Sequence, residues 1–200
     1  HADSQEIKVG DFVADIVGEN GIIEIQTKQL SKLAKKLDAF LPCCAVTVVH
    51  PIIAESTVIR IDQSSGEVLS RRRSPKKQSL INIFNELYSL RDYITNGNFS
   101  LCVCLIKADA IKNNERRRYK VKKIDVIPTE LLQEIYFHSP RDYLDFMPDG
   151  LPDEFTSARF AELAKTDRST ALSCLNTLTA AGLVKRVGKQ KNAILFSLTE

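Results

Sequence analysis

The stretch Val46-Thr47-Val48-Val49-His50-Pro51-Ile52-Ile53 is apolar almost without a break, and it restricts the fold more than any other segment. A strand with one wet face alternates apolar and polar side chains, whereas a strand apolar at successive positions is covered on both faces. A continuous apolar strand in a chain of 200 residues therefore asks for helices beside a sheet. The neighbouring segments supply them. Gln29 to Leu41 repeats Leu30, Leu33, Leu37 and Leu41 at helical spacing and is closed by Pro42. Leu80 to Ile94 reads as a second helix, with Leu80, Ile83, Phe84, Leu87 and Leu90 inward, and Phe99 to Ile106 as another buried strand. Before them, Phe12–Val17 and Ile22–Gln26 form a hairpin around Gly18-Glu19-Asn20-Gly21. Thr57–Asp62 and Glu67–Arg73 form another. The fold class expected is α/β with a mixed sheet.

The rest of the chain reads as a separate piece. A short helix is expected from Pro128 through Phe137. Pro and Gly punctuate Met147 to Pro152 as a linker, so that residues 1–147 make one domain and 148–200 a second. In the second, Thr156–Lys165 and Arg168–Ala181 are helices around a Thr166-Asp167 turn, and Gly182 stands where a helix C-cap belongs. Leu183–Val187 and Ala193–Leu198 follow as a β-hairpin.

Composition removes several classes. With 44% hydrophobic and 26% charged residues the chain can bury a core. No apolar run approaches the roughly 18 residues of a membrane span, and the start is polar, so a cytoplasmic protein without membrane contact is expected. The five cysteines include no C-x-x-C pair, which points to free thiols rather than disulfides or zinc. The net charge of +3 conceals a gradient: residues 71–123 hold fourteen basic against four acidic residues, while residues 1–70 are net acidic. Arg71-Arg72-Arg73, Lys76-Lys77 and Arg116-Arg117-Arg118 would meet successive phosphates of a polyanion, with salt-dependent affinity.

Asp15, Glu24 and Gln26 are the most informative polar group. Alternation puts Glu24 and Gln26 on one face of their strand. With Glu19-Asn20 as the loop Asp15 lies opposite Glu24; with Asn20-Gly21 as the loop it lies opposite Gln26. Either register brings Asp15 to that face. Two carboxylates on adjacent strands repel each other unless a hard cation such as Mg²⁺ or Mn²⁺ joins them. That cation can offset charge on a phosphodiester and generate hydroxide.

Asp15, eight residues, then Glu24-Ile25-Gln26 resembles the PD-(D/E)XK nuclease superfamily, whose restriction-endonuclease-like domain places an acidic residue, a hairpin and Glu-x-Lys in this order. The resemblance implies Asp15, Glu24 and the Ile25 carbonyl as metal ligands and Asp15, Glu24, Gln26 and Lys36 as catalytic residues. Gln26 stands where the family usually has Lys, so the charge would come from the following helix, where Lys32 and Lys36 lie one turn apart. Glu6 is a weak candidate for a further acidic residue. The phrase FAELAKTDRSTALSCLNTLTAAGLVKRVGKQKNAILFSL resembles the winged-helix family. That resemblance implies DNA contacts from Arg168, Ser169, Thr170 and Ser173 at the second helix and from Lys185, Arg186, Lys189 and Lys191 at the wing. The joint expectation is a metal-dependent DNA endonuclease. The alternatives are a non-catalytic DNA-binding regulator and an assembly subunit whose winged helix docks a protein or a second copy.

Overall fold

The computed structural model describes residues 5–62, 64–117 and 120–199, and their side chains except at 114–123. It is a mixed α/β structure with ten strands among the described residues: β1 Gln5–Val9, β2 Phe12–Gly18, β3 Gly21–Ile25, β4 Val46–Ile61, β5 Val68–Arg73, β6 Phe99–Arg117, β7 Lys120–Phe137, β8 Phe155–Thr156, β9 Val184–Gln190 and β10 Ala193–Leu198. The α-helices are α1 Ala34–Phe40, α2 Phe84–Leu87, α3 Ser157–Leu163 and α4 Arg168–Ala180, with 3-10 turns at Leu30–Leu33, Leu80–Ile83, Tyr88–Tyr93 and Pro140–Phe146. A seven-stranded sheet runs β1-β2-β3-β4-β6-β7, with β5 paired to β4 off that path; β8, β10 and β9 make a second sheet. The chain divides into two compact units, residues 1–50, 81–102 and 136–200, and residues 51–80 and 103–135. The boundary expected at 147/148 lies inside the first of them.

In the first unit β2 and β3 are antiparallel, and β3 and β4 are parallel. Parallel neighbours need a crossover, and Leu30 to Phe40 supplies it. Its leucines behave as their spacing requires, Leu30, Leu33, Leu37 and Leu41 all being buried. Gly18 pairs with Gly21, so the loop is Glu19-Asn20. Gly21 has φ +115, and a Cβ there would overlap the Ala45 carbonyl oxygen, which accepts from Ile22 N–H. Gly21→Ala should therefore cost about 1–3 kcal/mol of backbone strain and close contact. Gly10→Ala, also at positive φ but with open space around it, should cost less; paired thermal melts measure both.

The helical turn Leu80–Tyr93 buries Ile83, Phe84, Leu87 and Leu90. Pro140 begins a turn capped by Ser139, whose N–H and hydroxyl both donate to Asp142. In the last segment Thr156 and Asp167 cap α3 and α4, accepting from Arg159 N–H and Thr170 N–H. Gly182, at φ +76, ends α4 as expected: Gly182 N–H bonds to the Thr179 carbonyl and Leu183 N–H to that of Leu178. Phe155 stacks on Phe160 and Phe196 beneath the β9–β10 hairpin.

In the second unit β5 lies antiparallel to β4, Thr57 facing Arg73, as the sequence indicates. One expectation fails. Pro128 to Phe137 is strand, part of β7, rather than helix. Pro128 resembled a helix start, but the segment is rich in β-branched and aromatic residues, and β7 ends its sheet. A proline is tolerated on an edge strand because its missing N–H leaves no ladder bond unmade. Cysteines are free, as expected, although Cys43 is exposed rather than buried.

Candidate metal and nucleic-acid site

The hairpin register carries Asp15 opposite Glu24, since Ile16 pairs with Ile23 and the loop is two residues long. Asp15 Oδ2 accepts the Ile25 backbone N–H at 2.7 Å. That bond fixes one carboxylate against the backbone next to the other. Glu24 is 1% exposed. Its Oε2 accepts from Lys36 Nζ at 2.6 Å, while its Oε1 is buried without a hydrogen-bond partner. Burial raises the Glu24 pKa; the Lys36 hydrogen bond pulls it down and the charge of Asp15 pushes it up again. Asp15 and Lys36 thus both act on one buried carboxylate.

Lys36 sits on α1, and its side chain is about a quarter exposed, so the group opens to solvent on the helix side. Lys32, the other cation of that helix, is exposed, and no bond to Glu24 is formed by it. The Gln26 side chain turns away: its Nε2 donates to the Lys28 carbonyl. The Gln26 carbonyl accepts from His50 Nδ1 at 2.7 Å, so the proton is on Nδ1. Burial keeps the His50 pKa below its ordinary value, and the ring ties the end of β3 to β4 as a core residue. Glu6 occupies the register position beside Asp15, between the pairs Gln5–Ile16 and Ile7–Ala14, with φ +54. It does not complete a cluster, for no group of three His, Cys, Asp or Glu able to hold a metal occurs among the described residues.

Oxygen donors suit a hard cation, and Mg²⁺ keeps several waters and takes only one or two protein carboxylates. A partnerless buried Oε1 beside a second carboxylate fits that requirement. A site demanding three or more protein ligands would not fit.

The basic residues fall in different places. In the second unit Arg71 pairs with Asp109 at 3.1 Å and Arg73 with Glu55 at 2.9 Å, both guanidinium groups remaining about two-thirds exposed. Exposed pairs are weak, about 0–1 kcal/mol, so phosphates can compete for them. Arg72, Lys76 and Lys77 are exposed. Arg118 lies outside the described residues, as do the side chains of Arg116 and Arg117.

In the first unit Arg168, Ser169, Lys185, Arg186, Lys189 and Lys191 are exposed. Thr170, expected to face DNA, is 1% exposed. Its Oγ1 donates to Asp167 and lies 3.0 Å from Asn85 Nδ2, an accepted bond that joins α4 to α2. The start of α4 is closed there because α4 packs against α2 and Tyr88–Tyr93 as well as against α3. A contact spanning 85 positions leaves no local trace in sequence; the wide buried set Thr170, Ala171, Cys174, Leu175, Thr177 and Leu178 is its sign.

A family model described as "Domain of unknown function (DUF8091)" matches residues 1–138. The chain is also similar to an "Uncharacterized protein" of Treponema pallidum (strain Nichols), with 32% identity over 131 residues, which is 64% of this chain and 52% of that protein. It thus spans about half the length of that relative. No solved structure matches it. Among the described residues no helix is long and apolar enough to cross a membrane.

Proposed function

Because the chain belongs to the DUF8091 family, whose description names no reaction, its chemistry must be read from the site, and we propose a metal-dependent DNA endonuclease of restriction-endonuclease-like type. The observation that carries this reading is Glu24: a buried carboxylate with one oxygen on Lys36, the other without a partner, and Asp15 alongside. Asp15 and Glu24, with the Ile25 carbonyl, would hold Mg²⁺ or Mn²⁺. Bound there, the cation would lower the pKa of a water and offset charge on the scissile phosphate.

The chain's own residues have distinct tasks. Asp15 is oriented by the Ile25 N–H, so its carboxylate is set before any ligand arrives. Glu24 gains from the cation what burial takes from it, the stabilisation of its charged form. Lys36 keeps a positive charge beside the reacting phosphate, the task Gln26 is turned away from. Hydrolysis adds a water oxygen to phosphorus, breaks the bond to one ester oxygen and leaves a phosphate monoester and a sugar hydroxyl.

The segment from β8 to β10 is read as a winged helix, with Lys185, Arg186, Lys189 and Lys191 available for phosphates. Plasmid and branched DNA incubated with Mg²⁺ or Mn²⁺ test the proposal. Wild type should cut, and Asp15→Ala should fall by at least about a hundredfold, beyond the loss usual for an outer-shell change. Equal cutting by the two proteins would reject the site. A second reading, a DNA-binding protein that does not cut, is favoured by the deep burial of Glu24 and its existing ion pair with Lys36. It is the outcome if binding persists with no cleavage in either metal.

A further inference from the structure

A second basic surface lies in the first unit, where no sequence signal marked a site. A groove of about 660 Å³ runs between the Tyr88–Tyr93 turn, the end of α4 and the start of β9. Its cations are Arg91, Lys185 and Arg186, its neutral polar groups include Tyr88, Asn176 and Thr199, and none of its lining residues is acidic. From this we infer that the groove binds the phosphodiester backbone of a nucleic-acid strand. The inference deepens the proposed activity and rests on it for the choice of nucleic acid over another polyanion.

The cations are held ready. Arg91 stacks over the Tyr88 ring at 4.5 Å and donates to the Tyr88 carbonyl at 2.9 Å. Arg186 donates to Asn176 Oδ1 at 2.9 Å. Both partners are neutral, so the guanidinium charges are oriented without being cancelled, and a planar guanidinium set in place loses less freedom on meeting a phosphate. The nearest acid to Arg91 is Asp92, 3.8 Å away and 76% exposed, too solvated to neutralise it.

One term opposes the inference. The C-terminal end of α4 faces the groove, and helix C-termini carry partial negative charge. Here the carbonyls of Thr177, Leu178 and Thr179 already accept from Ala181, Leu183 and Gly182, which reduces the exposed negative ends. Three full charges then outweigh the residual dipole. The groove also explains how α4 can be closed at its start by Asn85 and still serve DNA, since the contact moves from its first turn to its last and to the adjoining strand.

Fluorescence anisotropy with a labelled duplex and a labelled single strand in EDTA tests this without cleavage. Wild type should bind both, with affinity falling steeply between about 50 and 200 mM salt. Arg91→Ala and the double change Lys185→Glu with Arg186→Glu should each weaken binding about tenfold or more, and the double change should flatten the salt slope by roughly 1.8 on duplex. Arg91→Lys should keep most of the affinity, and melting curves establish that every variant is folded. Lys8→Glu, on exposed β1 away from the groove, should bind as wild type. Equal weakening by Lys8→Glu would overturn the inference, as would binding indifferent to the groove variants or displacement by polyglutamate as effective as by DNA. Asp15→Ala separates the two claims: it should bind normally in EDTA while failing to cut with metal. Cutting can thus fail with the groove intact, and the groove can fail with cutting intact.

Discussion

Mg²⁺ at a hundred times its dissociation constant should stabilise the wild-type protein by about 2.7 kcal/mol, about 5–10 °C in melting temperature for a chain of this size. Glu24→Gln should melt at the same temperature with Mg²⁺ as with EDTA. The substitution keeps the side chain's size and an oxygen for Lys36 but removes the charge that a cation needs. The pH dependence should also separate the two proteins. Burial raises the Glu24 pKa from its ordinary 4.5. The folded state therefore favours protonated Glu24. Its favourable contribution is fully present below about 4.5 and is lost as pH rises through the raised folded value. In EDTA, then, Glu24→Gln, a permanently uncharged copy, should gain stability relative to wild type as pH rises through that window. Mg²⁺ should reverse the trend for wild type alone, since a bound cation favours the charged form. Equal metal stabilisation of both proteins would mean that the ion binds elsewhere.

Phe84→Ala should remove about 3–5 kcal/mol of folding stability, the usual cost of emptying a large aromatic site in a core. Phe84 is fully buried and meets Phe146 edge-on at 4.7 Å and Tyr143 at 6.4 Å. Phe137 stacks on Tyr143 at 4.9 Å and on Phe146 at 5.3 Å. Four rings from α2, the end of β7 and the Pro140–Phe146 turn thus share one cluster. No polar side chain replaces the lost contacts, and Tyr143 holds its hydroxyl buried without a partner, so the gap cannot be relieved by a new hydrogen bond. Against a typical total of 5–15 kcal/mol the loss is a large fraction. Urea titration of Phe84→Ala beside Leu172→Ala, an exposed position on α4, measures it. A loss below about 1 kcal/mol for Phe84→Ala would show that residues 140–146 do not share this core.

Local pattern was legible wherever one element decided its own form. Leu30, Leu33, Leu37 and Leu41 could share one buried stripe only as a helix, and they do. Gly182 ended α4 because its conformation favours glycine. The hairpin turn was legible as a turn, but its two registers differed in which residue opposed Asp15, and only the pairing of Gly18 with Gly21 decides it. Similarly, Lys32 and Lys36 were equivalent by spacing; the crossover from β3 to β4 makes Lys36 the one that reaches Glu24. Sheet order was not legible, since the parallel pairing of β3 with β4 and the place of β6 beside β4 are non-local. Pro128 misled because it suits a helix start and an edge strand equally well, and only its neighbours in the sheet distinguish the two. The burial of Thr170 and the basic groove at Arg91 both join the Tyr88–Tyr93 region to α4, across a separation that no periodicity spans.

The most direct measurement is the anomalous density of a crystal soaked in Mn²⁺. The expected result is a single strong peak about 2.0–2.2 Å from carboxylate oxygens of both Asp15 and Glu24, with Lys36 moved off at least one Glu24 oxygen. A map with Mn²⁺ only at exposed acids, and the Glu24–Lys36 pair still closed at full soak concentration, would contradict a metal-dependent phosphodiesterase site in this hairpin.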